Sequence, residues 1–313
     1  GAALERLAAG AGTMAPGRAL VALAKLRGDA SRSVLERARA DKCWWVRARA
    51  YEAYGVLSDA ETVLSAGLKD ADPRVAAQAL ETLAASSSSL AVPALEAALS
   101  DPASPLEVRG TAADAAVERK DPALVPALLK ALPLAVGPGS GELRGSLRKA
   151  LEASSPVGSP QNQEVTRTLK GYAQFLDAPR TFKPLLSPAT VVFETEKGGF
   201  VIRLSTKAGN HAAAFAEHAA AGLYDGTEWH RVVTGFVVQG GDPRGSGWGD
   251  AGWRLADEAG DERFSRGTVG MPKAGPDTGG CQLFVSLVPT PHLEGRYTAF
   301  GRVVEGQDVL DRL

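Results

Sequence analysis

The chain has 313 residues and a net charge of −1, long for one compact domain and comfortable for two. Residues 1–177 carry 21 basic and 20 acidic side chains, and residues 178–313 carry 14 and 16, so neither half offers the one-sided field that attracts nucleic acid or an anionic membrane. No apolar run approaches the roughly 20 residues that span a bilayer, and two cysteines with four histidines, all beyond residue 210, give no zinc spacing.

Residues 1–153 are rich in Ala and Leu and poor in aromatics, and they show self-similarity. Aligning Val46, Val75, Val108 and Leu143 gives steps of 29, 33 and 35 residues. Between them lie Val63–Leu68, Val92–Leu99 and Val125–Leu132, each with apolar residues at helical spacing. Aspartate or Asp-Pro ahead of several of these segments is a helix start signal: the carboxylate caps, and proline suits the first turn. Paired helices at about this period resemble HEAT-type repeats, an α-solenoid over residues 1–177 that stacks to share one core and binds a protein partner along its surface. An irregular Ala/Leu helical bundle is the alternative. The tandem Trp44-Trp45 suits buried packing or that partner surface.

Three prolines in residues 178–189 predict an extended linker. Val191–Glu196 and Gly199–Thr206 then read as paired strands around Lys197-Gly198, and His211–Gly222 as a helix closed by glycine. Tyr224–Thr227 reads as a turn in which Asp225 is a turn former, not a catalytic acid. Later β-rich runs with Gly-rich turns predict a closed antiparallel β-barrel capped by helices over residues 190–313.

Two segments carry the chemistry. Glu228–Asp242 places Arg231, Phe236 and Gln239 at intervals of five and three residues, and Gly267–Phe284 supplies Gln282 and Phe284. Thr190–Leu313 resembles the cyclophilin-type peptidyl-prolyl cis-trans isomerases. The resemblance implies a cyclophilin-like barrel and isomerisation of X–Pro bonds in proline-containing peptide or protein clients, assisting their folding. Arg231 would be the donor at the proline nitrogen, oriented by Gln239. Phe236, Val237, Phe284 and Leu293 would line the pocket, and Gln282 would bond the substrate backbone. This chemistry uses no nucleophile, metal or cofactor.

Several positions depart from the family pattern. His292 stands where cyclosporin-sensitive members usually have Trp, and Tyr297 where His is common. Pro272-Lys273 replaces Ala-Asn at a stretch whose backbone pairs with the peptide, and Val237 replaces Met. His211, His218 and His230 read as packing or surface residues. Because of these departures, a non-catalytic peptide-binding scaffold or chaperone using the same groove and repeats is the second reading. The family pattern continues past Leu313 into a further strand. Ala/Gly/Arg-rich composition suggests a bacterial source, and the start at Gly1 favours the envelope or periplasm over the cytoplasm.

Overall fold

The computed structural model describes residues 14–135, 140–172 and 179–313. Contacts divide the chain into two units, residues 1–134 with 146–171 and residues 135–145 with 172–313. The boundary expected at 177/178 lies outside the described residues.

The first unit is helical: α1 (Met14–Arg27), α2 (Arg32–Ala38), α3 (Trp44–Tyr54), α4 (Glu61–Gly67), α5 (Pro73–Ala85), α6 (Ala91–Ser100), α7 (Leu106–Arg119), α8 (Val125–Ala131), α9 (Ser140–Ser154) and α10 (Asn162–Tyr172). The contact division runs through α9. The start signal at Asp72-Pro73 acts as the sequence implies: Asp72 accepts the Arg74 N–H and Pro73 sits in the first turn. Asp121 accepts the Ala123 N–H in the same way, ahead of a 3-10 turn leading into α8. Asp101-Pro102 instead sits in a turn, and α7 begins only at Leu106.

Packing runs from α1 to α3, α3 to α5 and α5 to α7, with α4 and α6 against α5. Leu20, Leu35, Tyr54, Leu64, Val75 and Leu83 form the core of the first helices. Small residues set the spacing. A Cβ on Gly67 would meet the Tyr51 ring at 2.6 Å and Ala79 at 2.7 Å. Trp44 and Trp45 are half-buried, not sunk in that core. The guanidinium of Arg74 lies 3.7 Å over Trp44 and that of Arg49 lies 4.2 Å over Trp45, so cation–π stacking completes their cover.

The second unit is a single antiparallel sheet, built from β1 (Thr190–Thr195), β2 (Gly198–Leu204), β3 (Arg231–Val233), β4 (Val237–Gly240), β5 (Thr268–Gly270), β6 (Leu283–Ser286) and β7 (Ala299–Glu305). The order is β1-β2-β7-β5-β6-β4-β3. Six ladders join seven strands in a row, and closure of the expected barrel would need a seventh, between β1 and β3. None joins them among the described residues. The architecture is a curled, cyclophilin-like antiparallel sheet, a half-barrel.

One helix, α11 (Gly209–Ala220), covers one face of this sheet. Its Phe215 packs at a tilt on Phe300 of β7, ring centroids 5.1 Å apart, within a core of Phe200, Ile202, Val238, Val269, Leu283 and Val285. Residues 179–189 run along the unit without helix or strand. Phe182 is 5% exposed and belongs to that core. Its N–H donates to Asn210 Oδ1 at 2.6 Å, and the Arg180 N–H donates to the Arg254 carbonyl at 2.7 Å.

Candidate active site

The site is built on the β3–β4 hairpin. The Phe236 N–H donates to the Val233 carbonyl at 3.0 Å, closing a tight turn in which Gly235 has φ of 71°, a conformation glycine adopts without strain. The turn sets the register and places Arg231 opposite Gln239. In the next ladder Gln239 lies opposite Phe284. Side chains directly opposite share a face, so Arg231, Gln239 and Phe284 form a row across three strands.

A chain of hydrogen bonds runs along this row. Arg231 Nη1 donates to Gln239 Oε1 at 3.2 Å, and Gln239 Nε2 donates to Gln282 Oε1 at 3.0 Å. Gln282 Nε2 donates to the carbonyls of Gly247 and Gly249, each at 2.9 Å. Both amide orientations follow from chemistry: arginine only donates, so the oxygen of Gln239 must face it, and two carbonyls at the far end demand the nitrogen of Gln282. The arrangement also modifies the expectation for Gln282. That residue is 4% exposed, and both its amide N–H groups point into the protein, where they hold Gln239 in place. Arg231 is exposed and has no carboxylate partner among the described residues, and its remaining N–H donors are available to a ligand.

Beside the row lies a second apolar cluster, separate from the main core. Val237, Phe264, Phe284, Leu293 and Ala299 are buried in it, with Phe236 and Tyr297 packed against them. His292 is exposed and stacks on Phe236 at 5.4 Å. Tyr297 meets Phe284 edge-on at 5.9 Å, and the ammonium of Lys273 lies 5.5 Å over the Tyr297 ring. Lys273 is also paired with Asp257 at 2.5 Å. Ten of the eleven site residues read from the sequence are therefore linked through contacts. Pro272 is half-buried and outside the apolar cluster. Of the other histidines, His211 and His218 are buried and His230 is half-buried. The described residues hold no group of three or more His, Cys, Asp or Glu suited to a metal ion.

Comparison with known proteins gives the family. Residues 190–313 match the family profile described as cyclophilin type peptidyl-prolyl cis-trans isomerase, and residues 60–137 match HEAT repeats. A human peptidyl-prolyl cis-trans isomerase-like 1 is 43% identical over 132 residues, covering 40% of this chain and 80% of the relative. A peptidyl-prolyl cis-trans isomerase of Helicobacter pylori is 40% identical over 134 residues, covering 41% and 82%. The chain belongs to the cyclophilin-type peptidyl-prolyl cis-trans isomerase family. Similar cyclophilin-type isomerases come from eukaryotes and bacteria alike, Arabidopsis thaliana included, so the similarity does not favour the bacterial source suggested by composition.

Sequence reasoning missed three contributors to the candidate site. Phe264 stacks on Phe284 at 5.7 Å and lies buried in the apolar cluster. Gly270 makes that stack possible, since a Cβ there would lie 2.3 Å from the Phe284 ring and 2.8 Å from Phe264. Gly270 lies in the Gly267–Phe284 segment, and a glycine within a strand marks such a close approach. The third is Asp242, the final residue of the first motif, whose carboxylate is completely buried.

Proposed function

We propose that the chain catalyses cis–trans isomerisation of X–Pro bonds in peptide or protein clients and so assists their folding, with Arg231 as the reacting donor and Gln239 as its orienting partner. The uncatalysed barrier is about 18–20 kcal/mol, because the nitrogen shares its lone pair with the carbonyl. As the bond twists, that lone pair localises on nitrogen and becomes a hydrogen-bond acceptor. A guanidinium N–H held at that point gains strength only in the twisted state, which is the condition for lowering a barrier. Phe236, Val237, Phe284 and Leu293 would hold the proline ring, with His292, Tyr297, Pro272 and Lys273 along the rim. The reaction needs no metal or cofactor.

The observation that carries this reading is the exposed Arg231, fixed by Gln239 beside an apolar cluster that the fold keeps apart from its main core. The test is exchange spectroscopy on a proline-containing tetrapeptide. Wild type should speed exchange, and Arg231→Ala should lose roughly 100-fold, about 3 kcal/mol of transition-state stabilisation. Equal rates for the two proteins would discard the reading. Residues 1–177 are proposed as an α-solenoid of HEAT-like pairs that binds a protein partner or client, joined through residues 178–189 to the isomerase at 190–313.

One observation favours a second reading, a peptide-binding scaffold without catalysis. Pro272 has no N–H to give a peptide backbone, and the amide donors of Gln282 are engaged by Gly247 and Gly249. Peptide-induced NMR shifts around Phe236 without cis–trans exchange of the bound peptide would select it.

A further inference from the structure

We infer that Asp242 is a positioning residue for the isomerase reaction, acting on Arg231 through the 242–249 loop, Gln282 and Gln239. The inference rests on the reading of the groove given above. Asp242 is 0% exposed. Its carboxylate accepts the backbone N–H groups of Arg244 at 2.8 Å, Ser246 at 2.9 Å, Gly247 at 2.5 Å and Gly249 at 3.1 Å, and the Ser246 hydroxyl at 3.3 Å. Hydrogen bonds to an ionised acceptor are about twice as strong as neutral ones, so five converging on one buried carboxylate leave the loop a single shape.

That shape matters because of what the loop presents. The two glycines whose N–H groups bind Asp242 are the two whose carbonyls hold Gln282. Their conformations admit no easy alternative. Gly247 has φ of 86°, and a Cβ on Gly249 would lie 1.8 Å from Asp242 Oδ1. From the loop the order passes outward, Gln282 to Gln239 to Arg231, with every amide in its only consistent orientation. A glutamine side chain ends in a broad, soft torsion. Without the loop carbonyls Gln282 would rotate, Gln239 would lose its fixed neighbour, and the exposed guanidinium would sample many directions. The apolar groove, which holds the peptide, lies outside this chain of bonds. Loss of Asp242 should therefore slow the chemical step and leave peptide affinity in place.

The experiment uses the full chain and a proline-containing tetrapeptide, reading by NMR both the exchange rate of bound peptide and its Kd. Asp242→Asn keeps the size and removes the charge. Gly249→Ala keeps the charge and displaces the carboxylate. Each should slow bound-state exchange about tenfold, the scale expected of misplacing a reacting group by a fraction of an ångström, while Kd stays within about twofold. Each should also shift the Gln282 side-chain amide and Arg231 guanidinium proton resonances. In an Arg231→Ala background, Asp242→Asn should change the rate no further, because a residue acting through Arg231 has nothing left to act on. Wild-type exchange in both loop variants, or a loss explained wholly by weaker binding, overturns the inference. If the loop variants do not fold, Gln282→Met decides. It leaves Asp242 and the loop untouched and removes the middle link, and a wild-type rate there overturns the inference as well. An inactive wild type would instead reject the isomerase reading, and the resonance shifts in Asp242→Asn would still report whether Asp242 positions Arg231.

Discussion

The two faces of β4 and β6 make different use of the same residue types. Val238, Leu283 and Val285 turn toward α11 and join Phe215 and Phe300 in the main core. Val237 and Phe284, one residue away on the same strands, turn to the groove and join Phe264, Leu293 and Ala299. Both sets are almost fully buried, which is why β6 reads as a continuous apolar run instead of alternating. What differs is the cover. The core face is roofed by a helix, and the groove face ends in half-buried Phe236 and exposed Arg231 and His292. Burial alone does not separate core positions from candidate-site positions here, whereas strand parity does.

That division makes the strongest prediction. Phe300→Ala removes a ring that is 0% exposed and packed on Phe215, and should lower stability by about 3–5 kcal/mol. Urea unfolding followed by fluorescence would show it as an earlier midpoint. The isomerisation rate per folded molecule should be unchanged. Phe236→Ala should do the opposite. The ring is half-buried and outside the main core, so stability should fall by no more than about 1 kcal/mol. Exchange catalysis should fall about tenfold, equivalent to about 1.4 kcal/mol in the barrier, because one wall of the pocket and the stacking partner of His292 go together. Equal catalytic losses in the two variants would break the comparison between faces.

Much of this was legible in the sequence because local rules dominate it. The Lys197-Gly198 hairpin, α11 with its closing glycine and the helix start at Asp72-Pro73 each depend on a few adjacent residues. The approach of Arg231 and Gln239 was visible as spacing, since a tight turn fixes register. Properties that depend on distant partners were not legible. Gln282 reads as a free amide until the Gly247 and Gly249 carbonyls are in place. Trp44 and Trp45 read as either core or partner surface until Arg74 and Arg49 are seen to cover them. Strand runs predict a sheet, but whether its ends meet is set by curl and register across all seven strands, and the ladders form a row.

The smallest expected effect concerns Glu258, which bonds to the start of α11 and to Thr298. Its Oε1 accepts the Asn210 N–H at 3.1 Å, and its Oε2 accepts the His211 N–H at 2.8 Å and meets His211 Nδ1 at 2.6 Å. It therefore caps α11 from a distance, where Ala208 supplies no side-chain cap of its own. Its backbone N–H donates to Thr298 Oγ1 at 2.9 Å, next to Tyr297 of the groove. Burial alone would raise the carboxyl pKa, but hydrogen bonds from the His211 ring and from the two backbone N–H groups outweigh it and hold the pKa below the usual carboxylate value. A folded-state value below the unfolded one means that this stabilisation is complete above the ordinary range, near pH 4.3, and is lost as pH falls through the lower folded value. Glu258→Gln should lower stability at neutral pH by about 1 kcal/mol and flatten the acid limb of stability below about pH 4. Urea midpoints measured from pH 6 down to pH 3 would show the wild-type and variant curves converging. Parallel curves would mean that the charge of Glu258 does not hold α11. A change in exchange rate per folded molecule at pH 6 would mean that the core face and the groove are coupled through Thr298.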